Sequence, residues 1–170
     1  MKIKANEKSK LVKKVLKNRG IKIANISSYK KALEVAKGHN IDINIEMLYY
    51  KSICNIGATG DVVVGDMVIF ERDIFGGSWR KPKYLGTETI VAKILKDSYG
   101  DKKQQHTFTC LNLLTNETFR IKGRNLYKNG VNRAKWDNEE DRKDALEEKH
   151  SRGDRARQIR DIGRNSYIEW

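Results

Sequence analysis

The chain has 170 residues, a formal charge of +13, 38% apolar residues and 34% charged ones. That suits one ordinary domain, or a small module joined to a larger one, with a modest core and much solvated surface. It holds no apolar run of the ~18 residues a membrane span needs and no apolar signal core at its Lys-rich start, and its two cysteines, Cys54 and Cys110, lack the spacing of a disulfide framework or zinc knuckle.

Residues 9–37 read as two helices around a turn. Leu11, Val12, Val15 and Leu16 recur at helical spacing, and Lys10, Lys13, Lys14 and Lys17 fill the other face. Arg19-Gly20 is a helix stop, Ile21–Ile26 a connector, and Ser27 or Ser28 caps a second helix in which Tyr29, Leu33 and Ala36 share a face. Gly38 ends it. Residues 41–56 suit either a third short helix or a strand. From Gly57 the pattern changes to β-branched runs separated by Gly, Asn and Asp. Val62–Phe70, Thr87–Lys96, His106–Leu113 and Thr118–Lys122 are predicted strands of a small antiparallel sheet or barrel. Phe119 and Ile121 should face inward, with Arg120 and Lys122 outward. Thr115–Glu117 is a hairpin turn. Phe75–Trp79 and Tyr99–Lys103 are predicted loops, the first leading into the basic tip Arg80-Lys81-Pro82-Lys83. Residues 137–161 read as one charged helix, capped by Asp137 with Glu140 and interrupted at Gly153. Trp136 is expected to staple that helix to the sheet.

The resulting expectation is an α+β chain. Residues 1–40 form a helical hairpin, 41–60 a connector, 61–136 a small antiparallel β-barrel-like domain, and 137–165 a charged helix packed on that domain.

Charge is unevenly spread. Residues 1–50 hold 12 Lys and Arg against 4 Asp and Glu, residues 51–130 hold 13 against 8, and residues 131–170 hold 10 against 10. An excess confined to the front three quarters points to a polyanionic partner, because Lys and Arg release counterions on neutralising phosphates; the alternative is charge for solubility alone. No helix pairs a basic face with a Trp/Phe/Leu-rich one, so no membrane partner is expected. An intracellular, reducing location follows, and no cofactor is expected.

Leu11–Gly20, the connector and Ser28–Leu33 together resemble the SAP motif, a helix–connector–helix module that usually binds DNA. The N-terminus of the second helix with Lys30 and Lys31 offers donors and positive potential to a phosphate, joined by Lys13, Lys14, Lys17 and Arg19; the alternative is an ordinary helical hairpin with lysines for solubility. A second series runs Asp97-Ser-Tyr-Gly100, Lys103-Gln-Gln-His-Thr-Phe-Thr109, Ile121-Lys-Gly-Arg-Asn-Leu-Tyr127, Trp136, Glu148-Lys-His-Ser-Arg-Gly153 and Ala156-Arg157. It is similar to a domain of plant proteins that join a SAP motif, this domain and a CCCH zinc finger, and of uncharacterised viral proteins. The resemblance implies association with nucleic acid, in a nucleus, or in a viral factory or virion. A CCCH finger is missing from these 170 residues.

Residue by residue, Gln104 and Gln105 can read base edges or close a turn. His106 starts a strand beside them. Lys122, Arg124 and Lys128, interleaved with Asn125 and Tyr127, can grip a backbone and stack one base, although Tyr127 also suits an aromatic lid. Trp79, beside Arg80, Lys81 and Lys83, is either a core residue or a stacking platform. DNA is favoured over RNA. One alternative is a nuclease. Its metal would sit on Asp61, Asp66, Glu71 or Asp73 with Lys93 or Lys96 nearby, or His106 and His150 would form an acid–base pair. A virion or protein-interaction protein is the other alternative.

Overall fold

The computed structural model describes residues 3–99 and 106–165. They form two compact units that divide between Ile53 and Cys54. The first holds α1 (Ala5–Asn18), α2 (Tyr29–Gly38) and α3 (Ile45–Ile53). The second holds β1 (Cys54–Gly57), β2 (Met67–Ser78), β3 (Lys81–Tyr99), β4 (His106–Asn112), β5 (Thr118–Lys122), α4 (Gly123–Leu126), β6 (Val131–Ala134) and α5 (Glu139–Asn165).

In the helical unit α1 and α2 end on the same device. Gly20, with φ of 74°, follows α1; its amide donates to Lys17 O (2.9 Å) and the Ile21 amide to Leu16 O (3.0 Å). After α2 the left-handed residue is Asn40, φ 54°, with Asn40 N on Lys37 O and Ile41 N on Ala36 O, both at 2.9 Å. These paired bonds satisfy the last helical carbonyls and turn the next isoleucine back onto the helix. Gly38, the expected stop, is instead the last residue of α2. Ser28 caps α2 by accepting from the Lys31 amide at 3.3 Å, and Asn44 caps α3 by accepting from Met47 at 2.9 Å. Val12, Leu16, Ile26, Ala32, Ala36 and Ile41 are buried together, with Ile43 and Ile45 packed against them. The expected connector at 41–60 is therefore no linker. Its first half completes the helical core, and its second supplies β1 to the sheet.

The second unit is one antiparallel sheet of order β1-β6-β2-β3-β4-β5. The expected barrel does not close. Past β5 the chain coils into α4, which packs against β2, β4 and β5. Val68, Phe70, Ile90, Ala92, Ile94, Phe108, Ile121 and Leu126 lie in its core. Ile121 is buried and Phe119 packs on the core, while Arg120 and Lys122 point out. The run from Val62 begins as a turn, and its strand starts only at Met67. Gly65 there has φ of 98°, and a Cβ on it would come within 3.0 Å of the Trp136 ring, so the turn requires glycine.

Helix α5 continues through Gly153, and Asn138, not Asp137, accepts from the Glu140 amide at 3.1 Å. Arg142, Leu146, Lys149 and Gly153 fall at spacings of four, three and four, one helix face. Arg142 and Lys149 on that face are buried.

Candidate nucleic-acid interface

The predicted loop at 75–79 is instead part of a long hairpin. Strands β2 and β3 pair in register from Met67↔Lys93 to Ser78↔Lys81, leaving Trp79-Arg80 as a two-residue turn. Strand β6 pairs with β2 only over Val68–Phe70, and β4 joins β3 only from Ala92 onward. From Glu71↔Thr89 to the turn the ladder is therefore two-stranded, an arm about 25 Å long at ~3.3 Å per residue. Its Gly-Gly sequence reads as a loop but serves the tip. Gly77 has φ of 83°, and a Cβ on it would lie 2.9 Å from Lys81 O. A register shift at Ile74/Phe75 adds twist.

The base of the arm is braced. Arg72 pairs with its cross-strand neighbour Glu88 and lies over the Phe119 ring at 5.4 Å, and Lys128 pairs with Asp73. Beyond it, Ile74–Gly86 carries Arg80, Lys81 and Lys83 and no carboxylate. The same stretch exposes large apolar side chains: Trp79 at 85%, Leu85 at 61%, Phe75 at 58% and Tyr84 at 56%. Arg80 sits 5.2 Å from the centroid of the Trp79 ring, and Phe75 and Tyr84 meet edge to face at 5.8 Å. The arm thus combines unneutralised cations with aromatic surface in solvent.

The helical unit has its own basic face. On a 3.6-residue repeat Lys10, Lys13, Lys14 and Lys17 fall within about 100° of arc on α1, opposite buried Val12 and Leu16. Lys13 is half-buried; Lys14, Lys17, Arg19, Lys30 and Lys31 are exposed. Among the described residues none of these six is in an ion pair. Neither is Arg80, Lys81, Lys83, Lys122 or Arg124.

The predicted cluster at 122–128 divides. Lys122, Arg124 and Asn125 are exposed around α4. Tyr127 is not a stacking platform, because its ring packs edge-on against Phe108 at 6.0 Å and its hydroxyl is buried beside Val62 without a well-formed hydrogen bond. Burial raises that phenol above its ordinary range. Lys128, paired with Asp73, is the one cation of the cluster already neutralised. Lys103, Gln104 and Gln105 lie outside the described residues. His106 turns inward. Tyr99 stacks on it at 4.2 Å with rings 10° apart, Phe108 lies 4.2 Å away on centroids, and Nε2 is 3.5 Å from Asp97 Oδ2.

The acidic and histidine candidates are likewise spread apart. Asp66 is fully buried, accepting from Val63 N (3.0 Å), Trp136 Nε1 (2.7 Å) and Arg142 Nε (2.9 Å) and Nη2 (3.0 Å). The expected Trp136 staple is thus a hydrogen bond to Asp66. Asp73 pairs with Lys128, whereas Asp61 and Glu71 face solvent, as do Lys93 and Lys96. His150 is exposed; His106 meets Asp97, and Arg152 binds that carboxylate at 3.0 and 3.2 Å. Burial alone would raise Asp97, but His106 and Arg152 overcome it and hold the carboxyl down to about 2. Lys149 donates to Gly60 O at 2.9 Å, and burial lowers its ammonium. Cys54 and Cys110 are free and buried, their thiols pushed up to about 11 and 12 by desolvation. Among the described residues no group of three or more His, Cys, Asp or Glu is placed to hold a metal, and no helix is long and apolar enough to cross a membrane.

Sequence reasoning missed the Phe75/Tyr84/Leu85 surface and the α5 clamp. The four-three-four spacing along α5 was the available signal for the clamp. Trp79 and the basic tip of the arm were marked by composition, but the exposure of Phe75, Tyr84 and Leu85 follows only from the strand register.

Residues 59–136 match a family model described as a domain of unknown function, DUF7699. The match holds Asp66, the whole arm and Trp136 but not α5. No solved structure gives a significant match. The zinc finger CCCH domain-containing protein 62 of Oryza sativa subsp. japonica is 39% identical, over 69% of this chain and 18% of its own length. The chain therefore spans under a fifth of that curated relative, and a relation to a plant protein bearing the CCCH zinc-finger name is established.

Proposed function

We propose that the chain is a nucleic-acid-binding protein, DNA favoured over RNA, that grips phosphates with lysines and arginines and needs no catalytic step. The observation that carries this reading is the distribution of free cations: α1 and α2 present Lys13, Lys14, Lys17, Lys30 and Lys31 unpaired, and the arm presents Arg80, Lys81 and Lys83 with no acid among them. Carboxylates lie close to cations elsewhere, as at Asp66–Arg142 and Asp97–Arg152. Ion pairs thus occur at the base of the arm and along α5, whereas among the described residues the tip of the arm and the basic face of α1 hold none. We read the helical unit as SAP-like with α3 added, and the setting as intracellular, in a nucleus, or in a viral factory or virion for a viral chain.

The test is a binding series against single- and double-stranded DNA and RNA at two salt concentrations. Lys30→Ala with Lys31→Ala should weaken all sequences about equally and lower the salt slope by roughly one for each phosphate no longer neutralised. An unchanged slope removes these lysines from the footprint. Cleavage of labelled strands in Mg²⁺ would favour a nuclease instead.

A further inference from the structure

The arm carries more than charge, and its aromatic surface bears on which form of nucleic acid it takes. Soluble chains bury large aromatic side chains where they can, and an exposed apolar patch beside polar residues marks a binding surface. Here Trp79, Phe75 and Tyr84 are all more than half exposed on a stretch that also bears three cations without an ion pair among the described residues. Cations alone serve any polyanion. Open aromatic faces beside those cations can receive the faces of bases, and in a duplex those faces are stacked against one another and present only their edges to the grooves.

We infer that the arm is a stacking platform for single-stranded nucleic acid, with Trp79, Tyr84 and Phe75 receiving unpaired bases and Arg80, Lys81 and Lys83 holding phosphates of the same strand. The inference rests on the nucleic-acid reading above and specifies its substrate. Arg80 against the Trp79 ring steadies the indole and brings a cation beside any base stacked there. The Phe75–Tyr84 rung is separated from the turn by the rungs Gly76↔Lys83, Gly77↔Pro82 and Ser78↔Lys81. That separation, about 13 Å at ~3.3 Å per residue, equals the rise of roughly four stacked nucleotides at ~3.4 Å each. Along β3, Lys81 and Lys83 fall between the turn and Tyr84 but project from the opposite face of the ladder to Phe75 and Tyr84, so their long side chains would meet phosphates around the edge of the narrow two-stranded arm. Leu85 packs over Gly76, where an added Cβ would lie 2.8 Å from its Cδ1, and so adds apolar surface to the same stretch.

The experiment uses the full chain and three probes: a 20-nucleotide oligo(dT), an oligo(U) of equal length and a mixed-sequence 20-base-pair duplex, followed by fluorescence anisotropy at two salt concentrations. Trp79→Ala lies at an exposed tip, and its fold is checked by circular dichroism. It should weaken oligo(dT) roughly 5- to 150-fold, the loss of one stacked base, with the salt slope unchanged and duplex binding little altered. Trp79→Phe should restore part of the loss. Lys81→Ala with Lys83→Ala should instead lower the slope, by about 0.7 for each single-strand phosphate left unneutralised. The oligo(dT) and oligo(U) arms show whether the sugar matters. Duplex binding that persists while Trp79→Ala and Phe75→Ala/Tyr84→Ala leave oligo(dT) untouched overturns the platform and leaves the nucleic-acid reading standing. Failure to bind any probe, with self-association that Trp79→Ala abolishes, overturns both and makes the arm a protein contact.

Discussion

Replacing Asp66 with alanine tests the clamp that holds α5 to the sheet. The carboxylate is fully buried and takes four donors, two of them from the buried Arg142 guanidinium, which among the described residues otherwise donates only to Asp61 O at 2.8 Å. Removal strands a buried positive charge and also leaves the Trp136 indole N–H without its acceptor. Breaking a buried ion pair by deleting one partner costs about 3–5 kcal/mol, and an orphaned donor adds ~1 kcal/mol or more. That is a large part of the ~5–15 kcal/mol that stabilises a typical domain. At about 4 °C per kcal/mol for a unit of this size, a combined cost of about 4–6 kcal/mol should lower the melting temperature of the β unit by ~16–24 °C. Thermal and urea unfolding followed by tryptophan fluorescence would measure it. Asp66→Asn combined with Arg142→Met removes both charges and keeps an acceptor for Trp136, so it should recover much of the loss. The two sites should therefore couple strongly in a double-mutant cycle. A single-variant cost below about 1 kcal/mol, or costs that simply add, would refute the clamp.

Two further expectations concern α5. Asp97 is held at about 2, against an ordinary 3.8, so the stability it contributes is fully present above pH ~4 and is lost as pH falls through its folded value near 2. The stability gap between the wild-type chain and Asp97→Asn should shrink on the order of 2 kcal/mol across that window, and a gap constant from pH 5 to pH 2 would contradict the Asp97–His106–Arg152 arrangement. Gly153→Ala should stabilise the chain by about 0.5–1 kcal/mol, because the helix runs through that position and the added Cβ would meet Tyr99 Oη at an ordinary 3.5 Å. Destabilisation on urea unfolding would show that α5 does not continue there.

The periodicities at Leu11–Leu16 and Thr118–Lys122, the cap at Ser28 and the stop at Gly20 were legible in the amino-acid order because each is a local matter of spacing and backbone freedom. So was the excess of positive charge in the front three quarters, which is arithmetic. Pairing across the fold was not legible. Asp66 reads as a turn former or metal ligand until Arg142, 76 positions later, is seen to reach it. His106 and Tyr127 read as open recognition residues until Tyr99 and Phe108 cover them. Phe75-Gly-Gly reads as a loop until strand register turns it into a protruding ladder with aromatic side chains in water. Local geometry depends on neighbours in sequence, whereas burial and charge neutralisation depend on neighbours in space, and only folding assigns those.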